Sequence, residues 1–168
     1  MAFSLVDFNE SVVYLDTMML YVFVRAEAKA KPILHSFFNS IEQGLITAYT
    51  SVLTFDELAY RLLLAAIRDK YSGSALDRLR DEEQKMMTEF HPVIMPTLRL
   101  LRQFPNLTLL DVSADDVDSM FDLMERYALR PRDALHVAAM QKAGCEAIAG
   151  NDPHFDHVPN LRRFEIVV

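Results

Sequence analysis

The chain has 168 residues, of which 51% are hydrophobic and 24% charged, as expected for one globular domain with a substantial hydrophobic core. The formal net charge of −7 argues against a protein that coats nucleic acid, but it does not exclude a nuclease whose acids are offset by divalent ions. The single cysteine, Cys145, excludes an internal disulfide framework and a cysteine-based zinc site, and it fits a reducing cytoplasm. The apolar stretch 18–24 is too short to span a bilayer, and no positive charge precedes it as in a secretory signal.

Strand-like and helix-like segments alternate along the chain. In chain order, the pattern predicts a strand at 12–15, helices at 17–25 and 32–43, a strand at 45–49, helices at 52–70 and 75–90, a strand at 107–112, helices at 113–127 and 131–144, and strands at 146–149 and 164–168. Pro92 and Pro96 predict an interruption after the helix at 75–90. Repeated strand–helix units without hairpin signals favour parallel pairing. We therefore expect an α/β fold with a central, mostly parallel five-stranded sheet covered by helices on both faces, in a single domain 1–168 with a helical insertion at about 68–96.

Four carboxylates occupy similar places in this pattern. Asp16 and Asp152 follow apolar strands, Asp133 opens a helix, and Glu57 lies about two turns into another. Acids at strand ends and helix starts point into the crevice of an open α/β sheet. Several carboxylates in one crevice repel one another unless a cation neutralises them, and hard oxygen ligands suit Mg²⁺ or Mn²⁺.

Each acid also has a plain structural interpretation. Asp16 could cap the helix that follows it, and Asp133 could stabilise a first turn through the helix dipole. Asp152 lies in an Asn-Asp-Pro sequence that is common in turns. Glu57 could be an exposed helix residue, and Asp56 beside it competes for any role. These interpretations explain each acid singly but not the context that all four share.

The segments around the acids carry a family resemblance. The first strand ends in Asp16-Thr17, residues 51–58 contain Glu57, and residues 132–140 followed by 148–155 contain Asp133 and Asp152. In order and spacing they resemble the PIN-domain nucleases, in particular the VapC-like toxin ribonucleases, over nearly the whole chain. There are two departures. The family often has a small hydroxyl residue where this chain has Gly150, and the stretch between the second and third acids is longer than in compact members.

The resemblance implies a PIN-like three-layer α/β/α sandwich. It also implies an endoribonuclease that hydrolyses RNA phosphodiester bonds with one or two Mg²⁺ or Mn²⁺ ions per site. Asp16, Asp133 and Asp152 would be direct or water-mediated metal ligands. Glu57 would hold a metal-bound water or act as a base, so that all four acids are catalytic.

Smaller expectations attach to nearby residues. Arg130 and Arg132 could meet a substrate phosphate, with plain surface charge as the alternative. Thr17 could contact a ligand or a metal-bound water, with helix capping as the alternative. We interpret His136 as a packing residue or a contact to a neighbour, and His154 as part of a solvated turn.

The expected partners follow from the same resemblance. The protein would be the toxin of a toxin–antitoxin pair, acting on RNA, able to bind a small antitoxin protein, and homodimeric. The apolar segment 33–41 supports the dimer. The alternatives are an RNA-processing PIN nuclease without an antitoxin and a PIN-like binding module that has lost catalysis. With four glycines and no phosphate-loop, dinucleotide or nucleophile-elbow motif, the sequence excludes those chemistries.

Overall fold

The computed structural model of the protein describes residues 2–25 and 32–166. The strands are β1 (Ala2–Ser4), β2 (Val12–Leu15), β3 (Thr47–Ser51), β4 (Leu107–Leu110), β5 (Ala147–Ala149) and β6 (Arg162–Glu165). The helices are α1 (Thr17–Val24), α2 (Pro32–Glu42), α3 (Val52–Lys70), α4 (Ala75–Asp81), α5 (Glu83–Arg102), α6 (Ala114–Tyr127) and α7 (Pro131–Lys142). Two short 3₁₀ helices, Leu5–Asp7 and Pro153–His157, lie near the two ends of the described chain.

The six strands form one sheet in the order β1-β6-β5-β2-β3-β4, and all the neighbouring pairs are parallel. The predicted α/β class, with a mostly parallel sheet between helices, is confirmed. The predicted number of five strands is wrong, because β1 adds a sixth at the sheet edge beside β6. With three residues, β1 is too short to show the alternation that identifies a strand in sequence. The strand predicted at 164–168 begins earlier, at Arg162, and its last two positions lie outside the described residues.

The prediction of a single helix at 75–90 is also wrong. Its residues belong to two helices, because α4 ends at Asp81 and α5 continues through Pro92 and Pro96. A proline inside a helix costs about 3 kcal/mol, but an apolar face that enters the core can outweigh that cost. The buried residues of that face are Met86, Phe90, Ile94 and Leu101. Residues 68–96 thus form the end of α3, α4 and much of α5, and their origin as an insertion stays a prediction.

Helices cover both faces of the sheet, and alternation along β2 shows how the core is divided. Val13 and Leu15 point into a cluster with residues of α1, α2, α3 and α5, whereas Tyr14 points into a second cluster with residues of α6 and α7. The apolar residues of α2 are buried in the first cluster (Leu34, Phe37, Phe38 and Ile41). The apolar character of segment 33–41 is therefore explained by the core and does not indicate a dimer interface.

The sheet order locates the crevice where a site is expected. From β2 the chain moves to β3 and β4 on one side, while β5 and β6 lie on the other side. In open α/β sheets, ligands bind beyond the carboxyl ends of the strands at such a reversal of order. Asp16 directly follows β2, and Asp152 follows β5 after two residues. Among the described residues, no helix is both long and apolar enough to cross a membrane.

Candidate functional site

A cavity of about 540 Å³ opens where α1, α3 and α7 begin and where β5 ends. It brings together every residue predicted to act in catalysis, metal binding or substrate binding: Asp16, Thr17, Glu57, Arg130, Arg132, Asp133 and Asp152. The remaining lining residues are Asp56, Tyr60, Arg61, His136 and Phe155. Residues far apart in the sequence thus share one polar pocket.

Asp16 is the residue before α1, yet its side chain makes no capping hydrogen bond. Its backbone N–H donates to the carbonyl oxygen of Ala149 (3.0 Å), which holds it beside β5. Burial raises the pKa of the Asp16 carboxyl, and the charges of Glu57 and Asp152 add to this, while the charge of His136 opposes it. The capping interpretation of Asp16 is therefore not supported by its contacts.

Glu57 is held by contacts from two other helices. Thr17 Oγ1 donates to Glu57 Oε2 (2.5 Å), and Arg132 Nη1 donates to Glu57 Oε1 (3.1 Å). Burial raises the pKa of Glu57, but contacts with His136, Thr17 and Arg132 outweigh it and lower the pKa to about 2. Asp56 is 73% exposed and approaches Arg132 only to 3.8 Å. Of the two neighbouring acids, Glu57 is the one fixed among the other carboxylates.

Asp133 lies in the first turn of α7, which begins at Pro131. Its Oδ2 atom is buried and accepts no hydrogen bond from any of the residues that the structure describes. Burial and the negative charge of Asp152 both raise the pKa of this carboxyl. Buried polar atoms in folded proteins nearly always have a partner, because losing water without a replacement costs free energy. This oxygen is therefore placed to bind a cation in the cavity.

Asp152 has both a turn role and a place in the cavity. Its Oδ1 accepts from the backbone N–H of His154 (3.0 Å) and lies 2.6 Å from His154 Nδ1. Burial raises the pKa of Asp152, but the hydrogen bonds of His154 and the charge of Arg130 lower it overall. The turn interpretation of Asp152 therefore holds without removing this acid from the cavity.

Two groups of side chains could each hold a cation. In each group, the possible ligand atoms all lie within 4.8 Å of one another, and the groups are Asp16 with Glu57 and His136, and Asp133 with Asp152 and His154. Carboxylate oxygens are the ligands that Mg²⁺ and Mn²⁺ prefer. The unpartnered Asp133 oxygen would gain a partner from such an ion. The residues present therefore fit a divalent cation.

The sequence interpretation did not place histidines beside the acids of the cavity. His136 lies one turn after Asp133 on α7, so both side chains fall on the same face of the helix. On the far side of its ring, Nδ1 lies 2.7 Å from the hydroxyl of Tyr14, which is fully buried. Burial raises the pKa of the Tyr14 hydroxyl. A tyrosine in an otherwise aliphatic strand was the available signal, since a buried hydroxyl needs a hydrogen-bond partner.

Because Gly150 has no side chain, Asp16 can lie close against its backbone. A Cβ atom added to Gly150 would lie 2.8 Å from Asp16 Cβ and 3.1 Å from Asp16 Oδ2. The glycine does not have a positive φ, so its backbone alone would accept a side chain. A hydroxyl residue at this position would require Asp16 or the chain beside it to shift.

Comparison with known proteins identifies a domain type and a fold. A profile of the PIN domain matches residues 13–161. VapBC2 from Rickettsia felis, solved with a DNA fragment from its promoter, aligns with 92% of this chain and 98% of its own (TM-score 0.53, 14% identity). VapC20 from Mycobacterium tuberculosis, described as a sarcin–ricin loop cleaving toxin, aligns with 84% of this chain and 90% of its own (TM-score 0.51, 12% identity). FitAcB from Neisseria gonorrhoeae aligns with 90% of this chain and 96% of its own (TM-score 0.54, 17% identity).

At these identities the structural similarities show the fold alone. No curated protein sequence matches the chain significantly.

Proposed function

The chain belongs to the PIN-domain family, and from this premise we propose that it is a metal-dependent endoribonuclease that hydrolyses RNA phosphodiester bonds. One observation carries the proposal: the four acids line one cavity, and a buried oxygen of Asp133 there has no partner among the described residues. The description of VapC20 as a toxin that cleaves the sarcin–ricin loop supports RNA as the substrate.

The acids would hold one or two Mg²⁺ or Mn²⁺ ions, with Asp16, Asp133 and Asp152 as the main ligands. When bound, such ions lower the pKa of water and stabilise charge on the leaving oxygen of an in-line displacement. Glu57, with a pKa of about 2, keeps its negative charge at neutral pH and is a weak base. We therefore assign Glu57 to holding a cation or a metal-bound water rather than to taking up the proton of the attacking water.

The arginines of the cavity would bind the phosphates that flank the cleaved bond. Arg132 is engaged by Glu57 and Asp56. The Arg130 side chain lines the cavity and makes no hydrogen bond or ion pair with another described residue, so its guanidinium is available. A guanidinium matches phosphate geometry through paired hydrogen bonds. We assign the first phosphate contact to Arg130, and secondary contacts to Arg132 and Thr17, which also position Glu57.

The partners remain part of the proposal. The similarity to VapC20, described as a toxin, favours a toxin of a toxin–antitoxin pair over an RNA-processing nuclease without an antitoxin. A neighbouring gene for a small DNA-binding protein would support this choice. A homodimer is also proposed, and apolar side chains exposed on α6, Val117 and Phe121, could contribute to its interface.

Matched variants test the catalytic proposal. A synthetic RNA is incubated with wild type and with Asp16→Asn, Asp133→Asn, Asp152→Asn or Glu57→Gln in Mn²⁺. Each substitution should lower the cleavage rate by orders of magnitude while the circular dichroism spectrum is unchanged. Asp56→Asn is the control, because Asp56 is a neighbouring but exposed acid, and it should keep most of the rate. Full activity in all four test variants would overturn the proposed chemistry.

A further inference from the structure

Two imidazoles lie among the acids of the cavity, and their distances to the nearest carboxylates differ. His154 Nδ1 lies 2.6 Å from Asp152 Oδ1, which is a hydrogen-bond distance. His136 Nε2 lies 3.8 Å from Glu57 Oε2, which is too long for a hydrogen bond. His136 is nevertheless held firmly, since its side chain is only 3% exposed. The ring of His154 is thus engaged by its carboxylate, whereas Nε2 of His136 faces its carboxylate across a gap.

A buried hydrogen-bond network fixes the other side of the His136 ring. The hydroxyl of Tyr14 donates to Ser51 Oγ (2.7 Å), and the same oxygen lies 2.7 Å from His136 Nδ1. Because a tyrosine hydroxyl has one proton, Nδ1 is the donor in the contact with Tyr14. In the neutral form of the ring, the lone pair is then on Nε2, the nitrogen that faces Glu57, and a cation bound there would take the place of the proton that the charged ring carries. A lone pair and a carboxylate oxygen that face each other can both bind one cation placed between them.

We propose that His136 Nε2 is a metal ligand, which completes a cation position together with Asp16 and Glu57. The ligand atoms of these three residues lie within 4.8 Å of one another. Two metal–ligand bonds of about 2.1 Å each can span the gap between Nε2 and the Glu57 oxygen. Histidines that bind metals usually donate their other ring N–H to a fixed partner, and Tyr14 supplies that partner. This inference rests on the proposed metal-dependent function, to which it adds a nitrogen ligand.

A nitrogen ligand changes which ions this position prefers. Carboxylate and water ligands suit Mg²⁺, whereas imidazole suits first-row transition metals. The position formed by Asp16, Glu57 and His136 should therefore favour transition ions over Mg²⁺. In the position formed by Asp133 and Asp152, Nδ1 of His154 is hydrogen-bonded to Asp152, so the carboxylate oxygens are the expected ligands and the position should discriminate less.

Pulsed electron paramagnetic resonance of Mn²⁺ bound to the whole protein tests the ligand directly. Wild type should show hyperfine coupling from a ligand nitrogen, and growth with ¹⁵N-histidine should replace the ¹⁴N pattern by that of ¹⁵N. His154→Asn is the matched control and should keep the coupling. His136→Asn should lose it, since asparagine can still donate to Tyr14 in place of Nδ1 but has no atom in place of Nε2. By calorimetry, the ratio of Mn²⁺ to Mg²⁺ affinity should fall about tenfold or more in His136→Asn.

The labelled wild type and His154→Asn decide the question even if His136→Asn does not fold. Mn²⁺ bound to wild type without histidine coupling would overturn the inference. Failure of wild type to bind Mn²⁺ would overturn it as well. Coupling that disappears in His154→Asn would assign the ligand to the other ring and overturn it equally. Cleavage of RNA in Mg²⁺ is measured on the same preparations. RNA cleavage without nitrogen coupling would refute only the claim that His136 is a metal ligand. Nitrogen coupling without RNA cleavage would refute only the proposed nuclease activity.

Discussion

Replacement of Gly150 by serine should impair the site, because the added side chain would collide with Asp16. The new Cβ would lie 2.8 Å from Asp16 Cβ. Carbon atoms in favourable contact are about 3.5–4.0 Å apart, so Asp16 or the neighbouring chain must move by about 1 Å. Overpacking of this kind costs about 1–3 kcal/mol of stability. A displacement of about 1 Å in a catalytic constellation can lower the rate about 100-fold.

The pair Gly150→Ala and Gly150→Ser separates the effect of the Cβ atom from that of the hydroxyl. Both variants contain the Cβ that meets Asp16, and only serine adds an oxygen. We expect both to lose about 100-fold in Mn²⁺-dependent RNA cleavage and to unfold at lower urea concentration than wild type. A serine variant as active as wild type, beside an impaired alanine variant, would refute this reasoning. The hydroxyl would then supply something that the glycine site lacks.

Three further predictions concern stability and assembly. Metal-free Asp133→Asn should melt at a higher temperature than wild type at neutral pH, because a raised folded-state carboxyl pKa penalises the fold above the unfolded pKa. This gain should disappear below about pH 3, where the carboxyl is protonated in both the folded and the unfolded state. Mn²⁺ should raise the melting temperature of wild type. If the variant is instead destabilised and Mn²⁺ has no effect, Asp133 is a structural acid at the start of the helix. Arg163→Met should lower the free energy of unfolding, measured in urea, by about 3 kcal/mol. The reason is that the buried guanidinium of Arg163 pairs with Asp156 and Glu165. An unchanged midpoint of urea unfolding would contradict this. Light scattering should show a homodimer, and a monomer over a wide concentration range would rule it out.

The sequence predicted most of the fold because hydrophobic periodicity and turn residues are local signals. Apart from the segments 75–90 and 164–168, each predicted element lies within two residues of its observed bounds. The failures have physical causes. The strand β1 is held by pairing with β6 rather than by its own pattern, and α5 passes two prolines because its apolar face is buried. Neither effect can be read from a short window of sequence.

The acids of the cavity could be predicted, but their surroundings could not. Asp16, Asp133 and Asp152 lie at places that an α/β topology brings to one edge of the sheet. The contact between Tyr14 and His136 joins residues 122 positions apart, across β2 and α7. Such a contact depends on which side chains meet inside the second core cluster. The tyrosine in β2 indicates that a buried hydroxyl needs a partner, but nothing in the sequence identifies His136 as that partner.

Incubation with total RNA tests the central claim most directly. Wild type and Asp16→Asn are compared in Mg²⁺ or Mn²⁺, and wild type is compared again in excess chelator. We predict discrete cleavage products only for wild type with a divalent ion. Cleavage that persists in the chelator, or at the same rate in Asp16→Asn, would contradict a metal-dependent nuclease at the four carboxylates.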